Sequence, residues 1–408
     1  MPLVAQSVAG LAASPAVRAC LEWFRRERSW INDQHLKLCR VPAPTFFEQK
    51  RAEWMAERFR SLGWEAKLDR GGNVVASLPG RRDAPAVAVT AHLDTVLAPR
   101  SAEDVRVAGD GRLLGPGVAD NGAGLAALLA LAAAWSAHPP LADPSLAPVL
   151  VANVGEEGEG NLSGMRYLCR NANGGRTGNS GRWQAFLVLD GPSTDHITSQ
   201  ALASRRFDVT VTGPGGHSWR DYGMGNPVHA VSRAVALFTE QAADVDGPRS
   251  SFNVGLIEGG SSINSIPAEA RAKVDLRSES AERIEEMAAL LGASVERAVE
   301  WENARSVGGR VSARVKEIGS RPSGALAEDA PILEYLRAVD AHLGIRSHLD
   351  CSSTDANVPL SLGLPAVSIG AGGLGGGAHT TGEWFQAEGR ELGLRRILLV
   401  LCLLLAGE

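Results

Sequence analysis

Val149-Leu150-Val151-Ala152-Asn153-Val154-Gly155-Glu156-Glu157-Gly158-Glu159 is the stretch that decides how the rest of the chain is read. Its first six residues form a nearly continuous apolar run, the pattern of a strand covered on both faces. It runs directly into two adjacent carboxylates. Such groups at the end of a core strand repel each other and resist burial, so a positive partner is expected there, and a metal ion is the obvious candidate. An exposed acidic turn is the plain alternative. This stretch alone weighs the two equally, and the neighbouring runs decide between them.

Working outward, Asn73 to Leu78, Ala86 to Ala91 and Ala185 to Leu189 are apolar runs of the same kind. Between two of them, Asn121 to Trp135 is rich in Ala and Leu, opens on small glycines and reads as a helix. Upstream, Ser14 to Gly63 reads as helices: Ala52, Trp54, Met55, Phe59 and Leu62 recur at helical spacing, and Gly63 is a stop. Strands alternating with helices imply an α/β fold with a mostly parallel central sheet. Functional groups in such sheets gather at the carboxyl ends of the strands.

Near Ala203 the pattern changes. Phe207 to Thr212 alternates like a strand with one wet face, a helix follows Pro227 to about Ala242, and Asn253 to Ile257 and Ala270 to Leu276 read as strands. Ser280 caps a helix on which Ile284, Met287, Ala288 and Leu291 share a face, and Val311 to Ile318 closes the series. The order β-α-β-β-α-β is that of a ferredoxin-like α+β unit. The helix-strand pattern then returns with Pro331 to Leu343 and Ala366 to Ile369. The expected organisation is a catalytic domain in two parts, 1–202 and 320–408, with a smaller domain inserted at 203–319. The polar, Gly-rich segment Asn171 to Gly181 reads as a surface loop.

The chain has 408 residues, of which 44% are hydrophobic, enough for two or three domains with sizeable cores. A net charge of −5 and a pI near 6.0, with no basic run, exclude a general nucleic-acid binder. Cys20, Cys39, Cys169, Cys351 and Cys402 are dispersed without CxxC spacing, which suits reduced thiols in a cytoplasm. No signal peptide is read at the N-terminus. The apolar run Ile397 to Ala406 is far shorter than the ~20 residues of a membrane span and reads as a buried last helix.

Four more candidate ligands fall at similar positions. His92 and Asp94 follow the strand Val87 to Ala91, and with one residue between them both side chains face the same way. Alone, His92 reads as a satisfied histidine in a polar turn. As a ligand it would need Asp94 behind it as an orienting group. Asp120 closes Gly115-Pro116-Gly117-Val118-Ala119 and opens the helix at Asn121; a lone Asp there is ordinarily an N-cap, yet the glycine-lined turn lets backbone approach a ligand. Asp190 ends the strand Ala185 to Leu189. His379 follows the glycine-rich stretch 370–378, which lacks the strand-loop-helix setting of a phosphate cradle and is read as the loop that delivers the histidine. Mixed nitrogen and oxygen donors suit zinc, cobalt or manganese rather than calcium. The ligands are too many for one ion, and a two-metal site is expected.

The order His92-x-Asp94, Gly-x-x-Asp120-Asn121-x-x-Gly124, Glu156-Glu157-Gly158, Asp190 and a late His379 resembles the co-catalytic dinuclear zinc metallopeptidases, the family of peptidase T, glutamate carboxypeptidase and aminoacylase. Gly213-x-x-Gly216-His217-Ser218, Asn264-Ser265-Ile266-Pro267 with Asp275-Leu276-Arg277, and Ser353-Thr354-Asp355-Ala356-Asn357 look like further motifs of that family. The resemblance runs from about Asp33 to the C-terminus. It implies that His92 and Asp190 bind one ion, Glu157 and His379 the other, and that Asp120 bridges them, with a cis peptide after it. It implies Glu156 as the general base toward a metal-bridging water and Asp94 as an orienting group. It implies His217 as an oxyanion donor from the lid, in many relatives serving the partner subunit, and Asn264 and Arg277 as substrate contacts. An ordinary strand-end salt bridge is the alternative for Arg277. Trp219-Arg220-Asp221-Tyr222 and the serines at Ser352 and Ser353 depart from the family pattern, which leaves substrate preference open. Arg205-Arg206 reads as structural in preference to an anion site.

The expectation is therefore a cytoplasmic dinuclear-metal hydrolase of amide bonds, homodimeric through the inserted domain, with two Zn ions (Co or Mn as alternatives). Its substrates would be short peptides, in the manner of a peptidase T-like aminopeptidase. A carboxypeptidase or a deacylase of N-acyl amino acids is the alternative within the class. A non-catalytic metal-binding scaffold and a metal-dependent phosphoesterase are the rivals outside it. No nucleic-acid or membrane partner is expected.

Overall fold

A computed structural model describes residues 2–142, 144–170, 181–242 and 248–406. The chain forms two compact units, one from Met1–Ala201 with Gly324–Glu408 and one from Leu202–Ser323. The first unit begins with helices α1 (Pro2–Ala13), α2 (Pro15–Arg26), α3 (Arg28–Cys39) and α4 (Gln49–Ser61). Ser14 caps α2, its hydroxyl accepting from the Val17 amide. Strands β1 (Glu65–Leu68), β2 (Val74–Ser77) and β3 (Ala86–His92) follow, then the short β4 (Arg106–Val107) and β5 (Leu113–Leu114). Next come α5 (Gly122–Ala137), β6 (Ala147–Asn153), α6 (Ser163–Leu168), β7 (Trp183–Leu189) and β8 (His196–Ala201).

The second unit holds β9 (Ala203–Thr212), β10 (Gly216–His217), α7 (Pro227–Ala242), β11 (Ser250–Gly259), β12 (Ser265–Ile266), β13 (Glu269–Ser278), α8 (Ala281–Arg305) and β14 (Ser312–Arg321). The chain then returns to the first unit with β15 (Gly324–Ala325), α9 (Pro331–Leu343), β16 (His348–Ser352), α10 (Asn357–Ser361), β17 (Ala366–Ile369), β18 (Leu374–Gly376), β19 (Trp384–Gln386) and α11 (Arg390–Ala406).

The large sheet of the first unit runs β1-β2-β6-β3-β7-β17-β8-β15, with β16 also paired to β8. Its centre, β6-β3-β7-β17, is parallel. Every residue of β3, β6 and β17 is buried, which is why these strands read as continuous apolar runs instead of alternating. Helix α5 is buried along nearly its whole length against one face, as its Ala/Leu composition requires. Helix α11 is almost wholly buried too, and no described helix is long and apolar enough to cross a membrane. Inside this apolar layer Arg396 forks onto Asp340 with two hydrogen bonds of 2.7 and 2.6 Å.

The second unit is a four-stranded antiparallel sheet in the order β11-β13-β9-β14, with α7 and α8 on one face. Ser280 caps α8 through the Arg283 amide. The Arg205 guanidinium pairs with Glu285 and Glu317, and Arg206 pairs with Asp275. Both arginines thus have carboxylate partners within this unit. Residues 171–180 of the glycine-rich segment lie outside the described residues.

Candidate metal centre

The site is built from the carboxyl ends of the central strands of the first unit. β3 ends at His92, and the Nδ1–H of this imidazole donates to the backbone carbonyl of Asp94 at 3.0 Å. A carbonyl can only accept, so Nδ1 carries a proton, and Nε2, which faces the carboxylates, is the nitrogen that a metal ion would take in exchange for its proton. Nε2 lies 3.1 Å from Asp120 Oδ1 and 3.8 Å from Asp190 Oδ1, at the end of β7. The other oxygen of Asp120, Oδ2, lies 3.1 Å from His379 Nε2, and that nitrogen is 2.8 Å from Glu157 Oε1. Among the described residues three candidate groups result, His92-Asp120-Asp190, Asp120-Glu157-His379 and His92-Glu156-Glu157, and the first two share Asp120, one oxygen in each. The donor set therefore fits a pair of divalent ions with one shared carboxylate: mixed nitrogen and oxygen ligands, and a His92 ring already oriented for ligation.

Asp120 is not the N-cap of α5. Asn121 takes that duty, its side chain accepting from the Gly124 amide at 3.1 Å, so Asp120 is left to face the histidines. The Asp120-Asn121 peptide is cis. The turn before it is held by Glu383, a buried carboxylate four residues after His379. Its Oε2 accepts from the Gly117 amide at 2.7 Å and its Oε1 from the Ala119 and Asp120 amides at 2.7 and 2.9 Å.

The segment after β6 is pinned one residue at a time. The Asn153 side chain donates to Asp355 Oδ2 at 2.5 Å. The Val154 amide donates to Asn73 at 3.2 Å and the Gly155 amide to Glu48 at 3.1 Å. The amides of Glu156 and Glu157 donate to the two oxygens of Asp94 at 3.0 and 2.9 Å. Asp94 thus orients the glutamate pair through its carboxylate and His92 through its backbone carbonyl. Thr45 completes its shell with a hydroxyl 3.0 Å from Oδ2. Glu156 and Glu157 are 5% and 6% exposed, so the acidic-turn reading of this stretch fails: both carboxylates are buried at the site.

These neighbours set the charges. Burial alone would raise the Asp120 carboxyl, but hydrogen bonds from His379 and His92 hold it well below the usual carboxylate range. Burial would lower His92, yet Asp120, Asp190 and Asp94 together push it well above an ordinary histidine. Asp120 and Glu157 raise His379 to about 9. Burial raises Glu157 despite the two histidines. Behind them, burial pushes Asp355 up to about 7, with Asp94 and Asp190 adding to the rise.

The remaining expected site residues lie in the second unit. β10 pairs with β12 so that His217 faces Ser265, next to Asn264. The Ser218 amide donates to the Asn264 carbonyl at 3.0 Å. His217 Nδ1 accepts from the amides of Trp219 and Arg220 at 3.2 and 3.4 Å, and the Asp221 carboxylate accepts from the His217 amide at 2.7 Å. Arg277 is on β13, paired with Asp275 at 2.8 Å.

Sequence reasoning did not single out Glu48, Asn73, Asn153 or Glu383, and it quoted Asp355 only inside a longer motif. Each acts by a contact between residues distant in the chain, for which local spacing carries no signal.

Two family models match. One, described as "Peptidase family M28", covers residues 73–208. The other, described as "Peptidase dimerisation domain", covers residues 203–302. A Bacillus subtilis (strain 168) protein, YqjE, itself described as uncharacterized, is 23% identical over 355 residues, covering 83% of this chain and 89% of its own length. A tripeptidase structure from Staphylococcus aureus is 20% identical with a TM-score of 0.72, covering 92% of this chain and 97% of that one. The aminopeptidase PepT from Bacillus cereus is 20% identical with a TM-score of 0.70, covering 92% and 98%. At these identities the two structures show the shared fold.

Proposed function

Starting from a hydrolase of the dinuclear metallopeptidase class, which the peptidase M28 and peptidase dimerisation matches support, we propose that this chain is a peptidase T-like aminopeptidase acting on short peptides. The observation that carries the reading is Asp120, whose two oxygens face two different histidines. His92 and Asp190 would hold one ion, Glu157 and His379 the other, with Asp120 shared, and zinc matches this donor set best. Such ions, when bound, polarise the scissile carbonyl and lower the pKa of the attacking water.

Glu156 would serve as the general base. Its backbone is fixed by Asp94 and its side chain shares a cluster with His92 and Glu157. It takes the proton of the attacking water and returns it to the leaving amine, one group serving as base and then acid. His217 is the proposed oxyanion donor. With Nδ1 accepting from two amides, its proton is on Nε2 and is offered outward. Asn264, held beside it, is the companion substrate contact. Arg277 is proposed as a fork for a substrate carboxylate, in competition with Asp275. The dimerisation match supports a homodimer through residues 203–319, and the chain's composition supports a cytoplasmic setting.

The experiment is metal content measured together with hydrolysis of dipeptides, tripeptides, N-acyl amino acids and one phosphate ester, with and without chelator. About two ions per chain, chelator-sensitive tripeptide cleavage, and a loss of at least ~100-fold on Glu156→Gln with both ions retained are the expected results. Preferred cleavage of N-acyl amino acids moves the assignment to a deacylase. Metal binding with no amide turnover overturns it.

A further inference from the structure

Beneath the proposed metal centre lies a carboxylate that the chemistry above does not use. Asp355 precedes α10 and is 1% exposed, and its partner Asn153 stands on the same buried face of β6 as Val149 and Val151. Its Oδ2 accepts from the Asn153 amide group. Its Oδ1 is buried without a partner, and so is Oδ1 of Asn153. Asn153 is fully buried, ends β6 and pairs in register with His92, and its carbonyl accepts from the Leu93 amide at 2.7 Å.

A lone carboxylate half satisfied in an apolar layer is destabilising, and an apolar pair of similar volume would fill the space at less cost. A role in holding the fold together does not account for it. What the pair touches does. Asn153 is bound on one side to the strand that ends in His92, and three residues further on the chain reaches Glu156 and Glu157. Asp355 therefore grips the one residue common to both ligand-bearing strand ends. The carboxyl group also lies within electrostatic reach of His92, Asp94 and Asp190.

We propose that Asp355 is a positioning residue for the metal centre, acting through Asn153 on the strand ends that carry His92 and Glu157 and adding negative charge behind the cations. This rests on the two-ion reading above. It predicts a signature that a packing residue would not give: removing the charge while keeping the shape weakens metal binding without unfolding the protein. Side chains that orient metal ligands from behind typically carry 10–100-fold in metal affinity.

The test uses the full chain, stripped of metal and titrated with Co²⁺ and with Zn²⁺ against a chromophoric chelator, alongside its circular dichroism. Asp355→Asn is expected to keep the wild-type fold, to weaken binding by about 10–100-fold and to alter the visible Co²⁺ spectrum. Asn153→Ser keeps the carboxylate and cuts its link to the strand; it is expected to alter the Co²⁺ spectrum as well, with a smaller loss of affinity. Wild-type affinity and spectrum in both variants overturn the proposal. If Asp355→Asn does not fold, Asn153→Ser alone decides it by the same reading. Neither readout depends on turnover, so a failure to cleave amides refutes the peptidase reading alone. A wild-type chain that binds no metal refutes the two-ion reading and this proposal with it.

Discussion

The same substitution, Asp355→Asn, has the opposite effect on the metal-free protein, and the size of that effect follows from the structure. Burial raises the Asp355 carboxyl from 3.8 to about 7. Below pH ~4 the group is protonated in both the folded and the unfolded chain and contributes nothing to the pH dependence. Between pH ~4 and ~7 the unfolded chain gives up its proton first, so rising pH favours unfolding. Above pH ~7 the folded protein bears the whole cost of the buried charge. A shift of about three units at 1.36 kcal/mol each is about 4 kcal/mol. Asparagine carries no charge and keeps a neutral hydrogen bond to Asn153. The variant should therefore be more stable than wild type by about 2–4 kcal/mol at pH 8, and equal to it near pH 4. At about 2 °C per kcal/mol for a domain of this size, the midpoint rises by about 4–8 °C. Scanning calorimetry of chelator-stripped protein at pH 4.5, 6 and 8 checks the size and the pH dependence together. A variant less stable than wild type at pH 8, or a difference that does not vary with pH, refutes the reasoning, since the bond to Asn153 would then outweigh the buried charge.

Stripping the metal from wild type should lower the midpoint of the first unit by the equivalent of about 4 kcal/mol relative to ions at a thousand times their dissociation constant. The transition of the second unit, whose described residues hold no candidate metal cluster, should not move. Arg396→Met should cost about 3–5 kcal/mol in urea unfolding, because it leaves the buried Asp340 charge without its fork. Gly370→Ala should cost several kcal/mol and reduce soluble yield, since a Cβ there would come within 2.1 Å of the Pro192 carbonyl oxygen and 2.6 Å of the Ser193 one. His217→Ala should lower kcat for tripeptide cleavage by about 100-fold with metal content unchanged; equal kcat would remove the oxyanion role.

Much of this architecture was legible because burial leaves a simple trace. β3, β6, β7 and β17 are buried almost throughout and appear in the sequence as unbroken apolar runs, and His92, Glu157 and Asp190 fall at or just beyond the ends of three of them, whereas Asp120 and His379 are delivered by glycine-rich turns. β8 and β16 left no such trace. β16 is exposed or half-buried along its length and gains its place in the sheet only by pairing with β8. The side chains that hold the site were illegible for a related reason. Glu383 reaches the Gly117 amide across 266 residues, Asp355 reaches Asn153 across 202, and Glu48 reaches Gly155 across 107. Any carboxylate accepts from any amide that the fold brings to it, so such bonds have no spacing to read.

The charge around the site links these parts. Asp94, Asp120, Glu156, Glu157 and Asp190 converge on two histidines, with Glu48, Asp355 and Glu383 behind them. Arg51 is fully buried nearby, but its guanidinium is turned to the Val41 and Leu93 carbonyls. Buried carboxylates in this number require countercharge. The Arg51 charge still acts on Asp94, Glu48 and Glu383, and among the described residues the protons on His92 and His379 add to it, which is why both histidines are pushed above their ordinary range. Protons and cations therefore compete for the same Nε2 lone pairs. Burial raises Glu48, Asp355 and Glu383 alike, so their charge is costly in the metal-free protein, and a divalent cation in front of them would relieve that cost more than a proton does. On the two-ion reading proposed above, the same carboxylates would therefore do two things: hold the ligand-bearing strand ends in place and favour a divalent cation between them.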